Sequence, residues 1–103
     1  MAELPAQLVL AKVLRRTDGI SAQADIENAL ARAEALIEQT GAALYAPRLH
    51  EERAAFARLL GRTDDAAREL REAKRLYGAM DAPIRVDSIT RELERMGAGP
   101  ADD

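Results

Sequence analysis

The chain has no cysteine, no tryptophan, one phenylalanine, two tyrosines and a single histidine. Without cysteine there is no disulfide framework, no thiolate nucleophile and no Cys-ligated metal. With so few aromatics there is no platform on which bases could stack, and the net charge of −3 is the wrong sign for a dedicated nucleic-acid binder. Long hydrophobic runs are also missing. The longest are Leu8 to Ala11 and Ala42 to Ala46, far below the ~20 residues of a membrane-spanning helix. Met1 to Pro5 has neither a basic start nor an apolar core, so it does not read as a secretory signal. These absences predict a cytoplasmic protein without membrane or nucleic-acid partners. β-Branched apolar residues are scarce too: eight Ile and Val stand against 22 Ala and 13 Leu. Ala and Leu lead the helix scale and β-branched residues favour strands, so the bias is helical. Nowhere do apolar and polar residues alternate over the length of a strand.

What is present is a chain of 103 residues, one domain by size, divided by glycines and prolines into five helical segments. The first runs from about Leu4 to Arg16 and stops in Thr17-Asp18-Gly19. The second runs from about Ala22 to Thr40, with Ile26, Ala29, Leu30, Ala33 and Ile37 on one face. The third runs from about Ala46 to Leu60, with Pro47 in its first turn, where a missing N–H costs nothing. Leu49, Phe56 and Leu60 form its stripe. The fourth is expected to begin at a Thr63-Asp64-Asp65 cap and reach Tyr77-Gly78, with Ala66, Leu70, Ala73, Tyr77 and Met80 facing inward. The fifth opens at Asp81-Ala82-Pro83 and ends at Met96, with Val86, Ile89, Leu93 and Met96 on its stripe. Short connections predict antiparallel hairpins. Residues 1–97 read as one helical domain and 98–103 as a flexible acidic tail.

The segments repeat. Arg16-Thr17-Asp18 recurs as Arg62-Thr63-Asp64, an offset of 46, which lays Leu8 to Leu14 on Ala54 to Leu60. Beyond the loop the offset is 40: Leu30, Ala33 and Ile37 fall on Leu70, Ala73 and Tyr77, and Gly41-Ala42 on Asp81-Ala82. The first two helices therefore match the next two, and the fifth opens a third unit. A helical hairpin recurring every ~34–47 residues is the mark of a stacked α-solenoid.

Ala54, Gly61, Ala66, Leu70 and Ala73 resemble the small and large positions of a tetratricopeptide-type repeat. His50, Ala57 and Gly78 stand where that motif carries Trp, Tyr and Pro. Three strings are more specific: Ala33 to Ala42, Tyr45 to His50, and Leu60 to Asp64. They resemble the C-terminal helical-repeat arm of large bacterial signalling ATPases, including LuxR-type regulators and adenylate cyclases with an ATPase module. The resemblance spans roughly Leu30 to Leu93. It implies a bacterial interaction and regulatory scaffold without catalytic residues, corresponding to the arm alone or to a piece of a longer regulator.

Candidate chemistry is sparse. His50 beside Glu51 and Glu52 lacks the second histidine four residues on that a zinc helix needs; Ala54 is there. It reads as a structural histidine. Adjacent carboxylates do not share a helix face, so Glu51-Glu52 is a poor acid–base pair. Gly97-Ala98-Gly99 follows a helix instead of opening one and is no phosphate loop. The expectation is a protein that is not an enzyme and uses neither cofactor nor metal. In tetratricopeptide-like arrays the first helices of successive hairpins line a concave face. The resemblance places Lys12, Arg48, Glu51, Arg58, Arg91 and Arg95 on it, with Arg48, Arg58 and Arg91 as anchors. That set suits a protein or an acidic peptide. Elsewhere Arg68 and Glu72 are spaced as an i, i+4 ion pair. With about two and a half units, one end should expose apolar surface at Leu4, Leu8 and Val9. The alternative function is an oligomerisation element completed there by a second copy.

Overall fold

The computed structural model describes residues 3–97. Every regular element among them is helical: α1 (Glu3–Thr17), α2 (Gln23–Thr40), α3 (Ala46–Leu59), α4 (Thr63–Ala79) and α5 (Pro83–Arg95). Single 3-10 turns, Gly19–Ala22 and Ala43–Tyr45, lead into α2 and α3. The tail at 98–103 lies outside the described residues.

α1 pairs with α2 and α3 with α4, each as a hairpin, and α5 lies along α4. The hairpins meet where α3 packs on α1 and α2. The molecule measures 36 × 31 × 18 Å, so its shortest dimension is about two helix diameters.

Two apolar clusters follow from this layout. The first joins Leu8 and Ala11 of α1 to Ile26, Ala29, Leu30, Ala33 and Leu36 of α2 and to Leu49 and Phe56 of α3. The second joins Ala54 and Ala57 of α3 to Ala66, Ala67, Leu70, Ala73 and Tyr77 of α4 and to Ile89 and Leu93 of α5. Ala33, Ala54, Ala66 and Ala73 are fully buried. A methyl side chain at those sites lets neighbouring helices approach closely, which gives the high alanine content a packing role. Met80, placed on the α4 stripe by its spacing, instead stands at the helix end, 36% exposed.

The α4 start differs from the cap expected. Thr63 is already helical, Arg62 holds the N-cap position, and no side chain caps the helix. Asp65 is drawn instead to Arg68 at 2.6 Å. Glu72 is held by Arg75 from one turn further on. Both pairs are i, i+3 contacts, for which a short Asp or Glu one turn upstream of an Arg is well placed.

Two helix ends share one backbone feature. Gly41, at the end of α2, has φ +69°, and Asp81, forty residues on at the end of α4, has φ +59°. A left-handed residue closes both helices, as helix C-termini prefer, but only Gly adopts it without a Cβ penalty. Asp81→Gly should therefore raise stability by about 0.5–1 kcal/mol, and Gly41→Ala should lower it by a similar amount. Thermal melts of the two variants, shifting Tm in opposite directions, check this.

Candidate interaction surfaces

Polar contacts between helices locate the expected basic residues. Arg15 of α1 reaches Glu52 of α3 at 3.3 Å, and Arg53 of α3 reaches Glu34 of α2 at 2.6 Å, so ion pairs flank the seam between hairpins on both sides. Arg58 of α3 donates to Glu92 of α5 at 2.8 Å. It is half-exposed, but its charge is engaged in tying α5 to α3. Arg91 and Arg95, next to Glu92 and one turn beyond it, are exposed on α5, and Lys12 is exposed on α1.

Glu51 turns toward α4, half-buried, and accepts a hydrogen bond from the Tyr77 hydroxyl at 2.8 Å. The close α3–α4 packing that buries Tyr77 brings its phenol to Glu51. Burial pushes the Tyr77 phenol up to about 12, helped by its bond to Glu51 and by that carboxylate's charge. Arg85 and Arg48 oppose the shift, so both cations lie close enough to act on the hydroxyl.

Tyr77 thus sits at the centre of a small cluster. The Arg85 guanidinium of α5 lies 5.8 Å from its ring centroid, and the Arg48 guanidinium of α3 lies 5.7 Å from the ring centroid of Tyr45. Cation–π contacts at such distances hold a flexible arginine in place while leaving its N–H edge to solvent. Both arginines are exposed. Beside them stand the two most exposed large aliphatic residues described: Leu44 at 72% precedes Tyr45, and Ile84 at 83% precedes Arg85. Leu44 and Ile84 are forty residues apart, and each presents a large aliphatic side chain, one at the entrance to α3 and one at the entrance to α5.

His50 is half-buried and bonded through Nδ1 to Glu69 of α4 at 2.6 Å, inside the second hairpin. Arg68, Arg71, Glu72 and Arg75 extend from it along α4 and border an open depression of about 600 Å³. Charge there is largely matched within the molecule. The Arg75 guanidinium bonds Glu72 and holds its carboxyl below the usual carboxylate value. Among the described residues no three His, Asp or Glu side chains gather as a metal site. No helix described is long and apolar enough to cross a membrane.

The exposed apolar surface of α1 includes Val9 but not Leu8. Leu8 is 2% exposed, because it points with Ala11 into the cluster shared with α2 and α3. The Leu4 side chain lies outside the described residues. Val9 is exposed as expected, at 51%, and Leu10 and Val13 join it at 44% and 48%. With Pro5 and Ala6 they line an almost wholly apolar shallow face.

Of the six basic-face residues, Arg48 and Glu51 are brought together around Tyr77, Arg58 joins α5 near Arg91 and Arg95, and Lys12 stands apart on α1. Leu44, Tyr45, Tyr77, Arg85, Leu10 and Val13 were not singled out as surface residues by sequence. For Leu44 and Ile84 a signal existed in the forty-residue offset. For Tyr77 helical spacing marked only its buried side. Compared with known protein families, curated proteins and solved structures, the chain finds no match.

Proposed function

We propose that the chain is a protein–protein interaction module of stacked, tetratricopeptide-like hairpins, with α5 as the first helix of a third unit. Its recognition edge runs along the helix entrances at Leu44, Tyr45, Arg48, Ile84 and Arg85. Its ligand is a protein segment that carries acidic and apolar side chains together, and it works by binding, without a cofactor. The observation that carries this reading is the repetition of a highly exposed aliphatic residue, Leu44 and Ile84, at equivalent positions beside arginines resting on tyrosine rings. Burying aliphatic side chains of this size is unfavourable to forgo without a use, and Tyr and Arg dominate the energetic centres of protein interfaces. Guanidinium edges already ordered by stacking lose less freedom on gripping a carboxylate. The resemblance of Ala33 to Ala42, Tyr45 to His50 and Leu60 to Asp64 to the arm of bacterial signalling ATPases supports reading this module as a regulatory scaffold.

A panel of synthetic peptides that alternate Asp or Glu with Leu, read by fluorescence anisotropy, tests the reading. Acidic peptides should bind more tightly than their Lys-substituted counterparts. The double variant Arg48→Glu/Arg85→Glu should weaken them by about tenfold or more. Equal binding of acidic and basic peptides, or affinity untouched by the double variant, would overturn it.

A further inference from the structure

Tyr77 holds two opposite charges apart. On its ring face rests the Arg85 guanidinium of α5, 5.8 Å from the centroid. At its edge the hydroxyl donates to the Glu51 carboxylate of α3 at 2.8 Å. The electronics of a phenol suit both contacts. The ring face is negative and attracts a cation, while the O–H presents its proton to an anion. Cation and anion are each served by Tyr77, so neither depends on the other.

Arg48 adds a third charge to this arrangement. It precedes Glu51 by three residues on α3, and an Arg and a Glu at that spacing share a helix face. In the fold each is turned to a different tyrosine. The Arg48 guanidinium lies 5.7 Å from the Tyr45 ring centroid, and Glu51 is bonded by Tyr77. Glu51 is half-buried, so its carboxylate needs a donor. The neutral hydroxyl supplies one without consuming a cation. Arg48 and Arg85, both exposed, lie close enough to the hydroxyl to act on its ionisation. A carboxylate released from Tyr77 would therefore lie in the field of both arginines.

We infer that the Tyr77 hydroxyl is a positioning group of the recognition edge: it holds Glu51 off Arg48 and so leaves the guanidiniums of Arg48 and Arg85 to the acidic groups of a ligand. The inference rests on the proposed binding of acidic, apolar segments at that edge. It adds that the edge carries its own competitor, a resident carboxylate with the charge of the ligand. Without the hydroxyl, Glu51 takes a guanidinium as its donor, and an incoming Asp or Glu must displace it. Removing the charge of Glu51 removes the competition, whatever stands at position 77.

Fluorescence anisotropy with the acidic, leucine-containing peptides, on the full chain, tests this with four proteins: the native chain, Tyr77→Phe, Glu51→Gln and the double variant. Tyr77→Phe should weaken binding about threefold, the worth of a partly exposed ion pair that the ligand must break. Glu51→Gln, whose amide oxygen still accepts from Tyr77, should bind at least as tightly as the native chain. In the Glu51→Gln background, Tyr77→Phe should have no further effect. A hydroxyl that merely stiffened the seam between α3 and α4 would weaken binding equally in both backgrounds. That result, or no loss on Tyr77→Phe, overturns the inference. Thermal melts without peptide give a second readout. Arg48→Gln should lower Tm more in Tyr77→Phe than in the native chain, because only there does Arg48 pair with Glu51. Equal shifts would likewise overturn it. Equal binding of acidic and basic peptides by the native chain would instead sink the recognition edge itself, and the melts, which contain no peptide, report separately on what holds Glu51.

Discussion

Leu70→Ala should lower the free energy of unfolding by about 3–5 kcal/mol, the upper part of the range for such truncations. Leu70 is 2% exposed and is one of few large side chains in its cluster. Its neighbours there include Ala54, Ala57, Ala66, Ala67 and Ala73, so the space it leaves is walled largely by backbone and methyl groups. Alanines have no rotamers with which to fill a hole, and the cavity remains. A loss of this size is a large fraction of the ~5–15 kcal/mol that a domain holds in total. Denaturant titration should show a lower midpoint with an unchanged slope. The same cluster holds Ile89 and Leu93, through which α5 attaches, so amide exchange in α5 should accelerate more than in α2. A loss under about 1 kcal/mol would mean that the alanine-rich helices close up around the vacancy, contrary to their tight packing.

The second large effect is in alkali. In the unfolded chain the Tyr77 phenol titrates near 10; in the fold it is pushed up to about 12. The fold thus favours the neutral, protonated phenol. Below pH 10 both states hold the proton and this contribution is complete. As pH rises from 10 towards 12 the unfolded chain loses the proton while the native chain keeps it. Stability therefore falls, by about 2–3 kcal/mol at most, at ~1.4 kcal/mol for each unit of difference. Tyr77→Phe should remove this part of the alkaline loss, at a cost near neutrality of about 1 kcal/mol from leaving Glu51 without its donor. Unfolding curves for the two proteins between pH 8 and pH 12 should converge as pH rises and cross at about pH 11, with the native-sequence chain the less stable above it. Parallel curves would show that Tyr77 ionises as freely in the fold as outside it.

The two effects meet in one place. Tyr77 closes the apolar cluster from below and carries Arg85 on its ring, so the residue that completes the α4 stripe also orders one side of the proposed recognition edge. Core and surface are coupled there through one side chain, and Tyr77→Phe, which keeps the ring, should leave the Arg85 contact in place.

The sequence by itself determined the helices and their pairing. Ala and Leu at i, i+3 and i+4 spacing, with Gly or Pro between segments, are local signals, and each acts within a few residues of its effect. They placed all five helices to within a few residues. Periodicity also singled out the buried alanines and Leu70, Ile89 and Leu93, because the inner face of a helix is written in its own spacing. The neighbours on the outer faces were decided only by tertiary structure. Arg58 has no acid within a helical turn that marks Glu92 as its partner, thirty-four residues away. Glu51 gives no local sign that it will receive the Tyr77 hydroxyl. On α1 two apolar stripes lie on opposite sides, and spacing alone does not say which is inward. Packing of α2 and α3 against Leu8 and Ala11 settled that, and so turned Val9, Leu10 and Val13 outward. Residues that meet across helices owe their contacts to the angle and register at which whole helices dock, which no single segment encodes. The sequence lacks cysteine and tryptophan and has a single histidine, and what the folded chain supplied was the convergence of arginine, tyrosine and exposed aliphatic groups across three helices, at the edge proposed for recognition.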